Sequence, residues 1–239
     1  FSSTPVTSSV SSSFTAFPSN AVKPSRKKSN TLLEALKEEK ERKYSGGIYH
    51  KTQIELTYNS NHIEGSKLTY DETRYIYETS TIGIGNKAIR VNDIIDTVNH
   101  FRCVDYIIDN GERKLSEAMI KEIHRILKSG SLDQYKYSFK VGGYKALPNE
   151  VGGRETTLPE NVSKEMKELL SSYNLKKKKS LFDIIDFHVQ FERIHPFQDG
   201  NGRVGRLIMF KECLRNNITP FIISDELKMF YYRGLNEWG

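Results

Sequence analysis

The stretch His195-Pro-Phe-Gln-Asp-Gly-Asn-Gly-Arg-Val-Gly-Arg206 decides how this chain is read. It brings an imidazole, a carboxylate and two guanidiniums together around a Gly-Asn-Gly turn. Before it, Leu181, Ile184, Ile185, His188, Phe191 and Ile194 recur at helical spacing. After it, Val204, Leu207, Ile208, Phe210, Lys211 and Leu214 do the same. Pro196 has no amide hydrogen and disfavours helix at the residue before it, so the first helix is predicted to stop near His195. Gly200-Asn201-Gly202 then opens the second. The first amides of a helix lack internal partners and its dipole is positive there, so the turn reads as a phosphate cradle. Arg203 and Arg206, three apart, can both reach over that helix end, and guanidiniums match phosphate oxygens. Asp199 suits Mg²⁺, which takes few carboxylates alongside phosphate oxygens. His195 has the intrinsic pKa to accept a proton from a hydroxyl near neutral pH.

Each residue alone has a simpler reading: a helix cap, a turn, a solvated arginine. Their combination does not fit the Walker A or dinucleotide-binding spacings. It resembles the Fic family signature, His-x-Phe-x-Asp/Glu-Gly-Asn-Gly-Arg-x-x-Arg. Every fixed position is matched, by His195, Phe197, Asp199, Gly200, Asn201, Gly202, Arg203 and Arg206. The resemblance implies transfer of AMP from ATP to a Ser, Thr or Tyr hydroxyl of a protein, the chain itself included. It implies His195 as general base and Asp199 as the Mg²⁺ ligand. Gly200, Asn201 and Gly202 would cradle the α-phosphate, with Arg203 on the diphosphate side and Arg206 on the γ-phosphate. Phe197 would pack the loop into the core.

A second segment, Ser60-Asn-His-Ile-Glu64-Gly65, resembles the family's inhibitory motif, Ser/Thr-x-x-x-Glu-Gly/Asn. Ser60 and Glu64 share one helix face, and Glu64, in the last turn, opposes the dipole, so a cationic partner is expected. The motif lies ahead of the core, which implies a built-in N-terminal inhibitory helix. Arg206 is the expected partner of Glu64, and Ser60 is expected to brace Glu64. The resemblance further implies a flap that clamps the target segment by main-chain pairing, with Lys145, Leu147 and Val151 as its residues. Tyr231, Tyr232, Leu235 and Asn236 fall where relatives carry adenine-pocket residues.

The 239 residues are 37% hydrophobic and 28% charged, ordinary for a soluble protein and enough for one domain with a sizeable core. Four cations and no acid fall within residues 1–30. Taking four from the formal charge of +6 leaves +2 on the rest, so nucleic-acid binding is not expected. Lys176 to Lys179 reads as a solvated loop. No apolar run approaches the roughly 18 residues of a membrane helix. Cys103 and Cys213 lie in apolar helical patterns without metal spacing, so both read as buried free thiols in a reducing, cytoplasmic setting. A homo-oligomer is left open.

Residues 1–30, rich in Ser and Thr, are expected to be a disordered tail, whether transit-like or an expression-vector remnant, and residues 31–239 a single domain. Helices are expected over Thr31–Tyr44, His50–Ile63, Thr69–Thr79 (capped by Thr69 with Glu72), Asn92–Asn110, Ser116–Leu127, Asn161–Tyr173 and Asp225–Trp238, besides the two flanking the motif. A glycine-containing loop is expected over Ile82–Asn86. Gln134–Pro159, with Gly142-Gly143 and Gly152-Gly153, reads as a small β-hairpin or irregular loop. His100 and His124, inside helical patterns, read as structural. The apolar pattern still runs at Gly239, which suggests a further C-terminal part. The expected fold is all-α, a bundle of about eight helices with a small β-hairpin flap. Two rival readings stand beside AMP transfer: removal of AMP by the same site with Glu64 orienting a water, and a non-catalytic interaction module.

Overall fold

Side-chain caps set four of the helix starts. Thr31, Thr69 and Ser180 each accept the amide three residues on, and the acid at that position reaches back to the cap. Ser116 accepts the Met119 amide. Each such cap is worth about 1 kcal/mol. The computed structural model describes residues 31–83 and 88–238. Among them are nine α-helices and one two-stranded hairpin: α1 Leu32–Glu41, α2 Ile48–Ile63, α3 Tyr70–Thr79, α4 Val91–Asp109, α5 Glu117–Lys128, β1 Glu150–Val151, β2 Arg154–Glu155, α6 Pro159–Leu175, α7 Leu181–Ile194, α8 Asn201–Arg215 and α9 Lys228–Glu237. The expected all-α bundle with a small flap is what forms. The expectations for residues 1–30, for most of the Ile82–Asn86 loop and for Gly239 lie outside the described residues.

The differences from the expected boundaries have local causes. Lys43 turns left-handed (φ 50°) and ends the first helix before Tyr44. α2 starts two residues early because Glu39 accepts the free Tyr49 amide at 2.9 Å. Pro159 opens α6 rather than ending the flap, since proline suits the first helical position. A 3-10 turn over Asp225–Leu227 precedes α9.

α8 runs through the centre of the bundle, buried on nearly every face. α4, α5 and α7 pack around it, and the main core gathers Ile107, Ile120, Ile123, Leu127, Phe187, Phe191, Phe197, Val204 and Leu207. α8 buries charge as well as apolar surface. Lys211 and Glu212 are 0% and 1% exposed and pair at 2.6 Å, and Tyr173 donates to Glu212 at 2.9 Å. Such groups are tolerated inside only when paired. Cys103 and Cys213 are buried free thiols, as the sequence predicts. His100 is fully buried against Thr57 at 2.9 Å. The Lys176–Lys179 run is not wholly solvated: Lys179 is buried, with its ammonium 4.7 Å from the Tyr173 ring centre and bonded to the Lys176 carbonyl. No helix among the described residues is long and apolar enough to cross a membrane.

Candidate active site

The motif loop hangs between two left-handed residues. His195 caps α7 at φ 51°, ψ 61°, its amide still bonded to Phe191, and Pro196 prevents the helix from continuing. A non-glycine residue in this region costs about 1–3 kcal/mol, so the surroundings must hold it there. Three side chains do so. Phe197 is fully buried and stacks on His124, with ring centres 3.9 Å apart and planes 2° from parallel. His124 also bonds the Asp199 carbonyl at 3.1 Å through Nε2 and accepts the Gly142 amide at 2.9 Å through Nδ1. The Asn201 side chain accepts the Phe197 amide and donates to its carbonyl, both at 2.8 Å. Asn201 is therefore 1% exposed and its side chain closes the loop, so the expected phosphate role falls to its main-chain amide. Gly200 (φ 84°) turns the chain into α8, whose first intrahelical bond is from Val204. The amides of Asn201, Gly202 and Arg203 are left without helical partners.

His195 lines a cavity of about 600 Å³. Its Nδ1 lies 3.3 Å from the Glu192 carbonyl. A carbonyl only accepts, so Nδ1 carries the hydrogen and Nε2 keeps the basic lone pair. Burial lowers His195 to about 4, which keeps the ring neutral at neutral pH. Val151 of the flap and Tyr231, Tyr232, Leu235 and Asn236 of α9 line the same cavity, as do Gly202, Arg206 and Glu64.

The two arginines diverge. Arg206, 4% exposed, donates from Nη2 to Glu64 at 2.6 Å and to the Ser60 carbonyl at 2.9 Å, and from Nε to the Ser60 hydroxyl at 3.0 Å. Glu64 does meet Arg206, but Ser60 braces the arginine rather than the glutamate, because the α2 terminus places both over one guanidinium. Glu64 sits one residue beyond α2, as its C-cap. Its carboxylate lies over the first turn of α8, so close that a Cβ on Gly202 would meet Oε1 at 2.3 Å. Burial would raise the Glu64 carboxyl, but the charges of Arg206 and Arg203 outweigh it and hold it below the usual range. An anion thus already occupies the positive end of α8.

Arg203 turns the other way, buried against Asp96 at 2.5 Å and 3.6 Å from Asp199. Lys128, 1% exposed, pairs with Asp133 and Asp199 at 2.8 Å each and lies 3.7 Å from Asp96. Partial desolvation raises Asp199, and the charges of Arg203 and Lys128 reverse this, bringing it down to about 2. Its side chain stays 53% exposed. No group of three or more potential ligands gathers there among the described residues. A single exposed carboxylate suits Mg²⁺ when phosphates supply further oxygens, so Asp199 fits such an ion.

The flap forms where expected, with Glu150 opposite Glu155 and Val151 opposite Arg154. Gly152 and Gly153, at φ 59° and 76°, supply the two positive φ angles of a tight hairpin turn. Leu147 and Val151 are exposed, and the Leu147 amide donates to Gln198 of the motif loop at 3.2 Å. Lys145 corrects the reading: it is 4% exposed and faces inward. It donates to Asn149 and Thr156 at 2.6 Å each and to the Ile194 carbonyl at 3.4 Å, tying the flap to the end of α7.

Asp96, Lys128, Asp133, His188 and Glu192 belong to the site and were not singled out in the sequence. For Asp96, Lys128, His188 and Glu192 the signal was a charged or polar residue on the inward face of an apolar helix; Asp133, in a 3-10 turn over Leu132–Tyr135, carried none. His124 and Lys128 share a face of α5, as do His188 and Glu192 on α7.

Residues 114–213, from just before α5 to the end of α8, match the Fic/DOC family. The chain is 28% identical over 184 residues to "Protein adenylyltransferase Fic" of Nematostella vectensis, covering 75% of this chain and 42% of that protein. It is 29% identical over 183 residues to the protein of the same name from Aedes aegypti, covering 75% and 36%. The chain thus spans about two fifths of the length of the curated relatives it matches. A crystal structure of a Fic domain containing signaling protein from Bacteroides thetaiotaomicron superposes with a TM-score of 0.71 at 26% identity, over 86% of this chain and 80% of that one. The motif loop, the helices that carry it and these likenesses agree: residues 114–213 of this chain match the Fic/DOC family as a Fic domain.

Proposed function

We propose that the chain transfers AMP from ATP to a hydroxyl of a protein and that Glu64 restrains this activity. One observation carries the reading: a neutral imidazole, the first turn of α8 at Gly202 and Arg206 line a single cavity walled by aromatic residues of α9. Tyr231 and Tyr232 offer flat faces to a purine. The amides of Asn201, Gly202 and Arg203 would receive charge developing at the α-phosphate. His195 would take the proton from the attacking hydroxyl through Nε2. Arg206 would hold the γ-phosphate once Glu64 gives way. Arg203, fixed by Asp96, would contribute its charge on the diphosphate side. Asp199 would hold Mg²⁺ with the phosphates, and the ion when bound would neutralise phosphate charge. Leu147 and Val151 on the exposed flap would pair with the target segment, and Ser, Thr or Tyr of the chain itself could serve as acceptor.

AMP removal is the second reading, favoured by the ionised Glu64 carboxylate in the same cavity as His195, where it could orient a water. An interaction module without chemistry does not call for a neutral base beside an anion site. Incubation with α-³²P-ATP and γ-³²P-ATP tests the proposal. Label should stay on protein from α-³²P-ATP only; retention from γ-³²P-ATP, or from neither, rejects it.

A further inference from the structure

One turn before His195, Glu192 lines the same cavity. Its Oε2 lies 3.8 Å from His195 Nδ1, and its side chain is only 11% exposed. Its Oε1 is buried with no hydrogen-bond partner among the described residues. Gly205 makes room for it: a Cβ there would come within 2.5 Å of Oε1 and within 2.8 Å of the His188 ring. The groups facing Glu192 are His195 and His188 from α7, Arg206 from α8, Glu64 from α2 and Tyr231 from α9. Burial raises its carboxyl to about 8 against the lowering pull of Arg206, so it keeps its proton at neutral pH. A buried carboxyl with one oxygen unpartnered costs stability.

We propose that Glu192 is a positioning residue for the base: it backs the Nδ1 edge of His195, keeps Nε2 as the basic nitrogen, and shares the positive charge that the ring takes up. The proposal rests on the AMP-transfer reading above. As the hydroxyl oxygen bonds to the α-phosphorus, its proton passes to Nε2. The bond from that phosphorus to the bridging oxygen breaks, and pyrophosphate leaves. The ring then carries a proton on each nitrogen, and Nδ1–H becomes a stronger donor. Its bond to the Glu192 carbonyl is long, at 3.3 Å, which leaves Oε2 available as a second acceptor. The coupling is mutual. When Glu192 ionises in alkaline solution, its charge makes His195 more basic.

The test follows the His195 ring nitrogens by ¹⁵N NMR of the full chain labelled at histidine, with His195→Gln assigning the signals. In the wild type these nitrogens should respond in two steps, the lower near pH 4 as the ring titrates and the upper near pH 8 as Glu192 does. Glu192→Gln should keep the lower step and lose the upper. A single step in the wild type, or an upper step that persists in Glu192→Gln, overturns the proposal. AMP transfer is measured in parallel on Glu192→Leu, where kcat should fall about tenfold with KM for ATP changed less than about twofold. A rise in KM with kcat unchanged would instead mark Glu192 as part of the ATP site and refute the positioning role. If no protein transfers AMP yet the wild type shows both steps, the transfer reading falls and the His195–Glu192 coupling stands.

Discussion

Replacing Glu64 by glycine should accelerate AMP transfer. Glu64 Oε1 lies 2.6 Å from Arg206 Nη2 and directly over the first turn of α8, so it holds both places that ATP phosphates would need. Two unit charges about 4 Å apart interact by about 4 kcal/mol at an effective dielectric of about 20. The Glu64 side chain is 33% exposed, and screening leaves roughly half of that, about 2 kcal/mol. ATP must overcome this to seat its phosphates in line, and 2 kcal/mol is about a 30-fold rate. The assay is the initial rate of α-³²P incorporation at fixed ATP for wild type, Glu64→Gly and the Glu64→Gly/Arg206→Ala double variant. The single variant should be about 30-fold faster, and the double variant should lose the gain because the γ-phosphate contact goes with Arg206. The substitution also leaves Arg206, 4% exposed, without its carboxylate partner. The melting temperature without nucleotide should therefore fall, and ATP should raise it more than in the wild type. A Glu64→Gly protein no faster than wild type refutes the restraint. One that loses the ability to remove AMP assigns Glu64 to hydrolysis instead.

Ser60→Ala should relieve restraint in part, since it frees Arg206 Nε while the main-chain bond from Nη2 remains; an unchanged initial rate would contradict this. His195→Ala should lower transfer by about 10²–10⁴ while calorimetric ATP affinity stays near wild type, and retained transfer removes it as the base. Asp199→Ala should abolish the response to Mg²⁺ titration, and a wild-type response would place the metal elsewhere. Stability should fall on acidification. Burial lowers His100 and His188 to about 3, and His124 and His195 to about 4, from a usual 6.5. The unfolded chain then binds more protons, so the native advantage is complete above about pH 6.5 and is lost progressively as pH falls toward 3. Urea midpoints at pH 7 and pH 5 check the sign, and a higher midpoint at pH 5 would contradict it.

The helices, their caps and the motif loop were legible in the chain because their causes are local. Thr69 with Glu72, Pro196 after His195 and Gly200 before Asn201 act within four residues, so spacing alone predicts where each helix starts or stops. The pairing of Glu64 with Arg206 was also within reach, since a carboxylate at the wrong end of one dipole calls for a positive partner. What spacing does not encode is which side of a helix faces which neighbour across the bundle. Nothing in the spacing of Arg203 points to Asp96, yet packing of α8 sends it to Asp96 on α4 while Arg206 meets Ser60 and Glu64 at the end of α2. The inward turn of Lys145 onto Ile194 and the placing of Lys128 beside Asp199 were likewise decided only in three dimensions. These contacts join residues up to 146 positions apart, and their energies depend on burial, which the chain acquires only when α8 is enclosed.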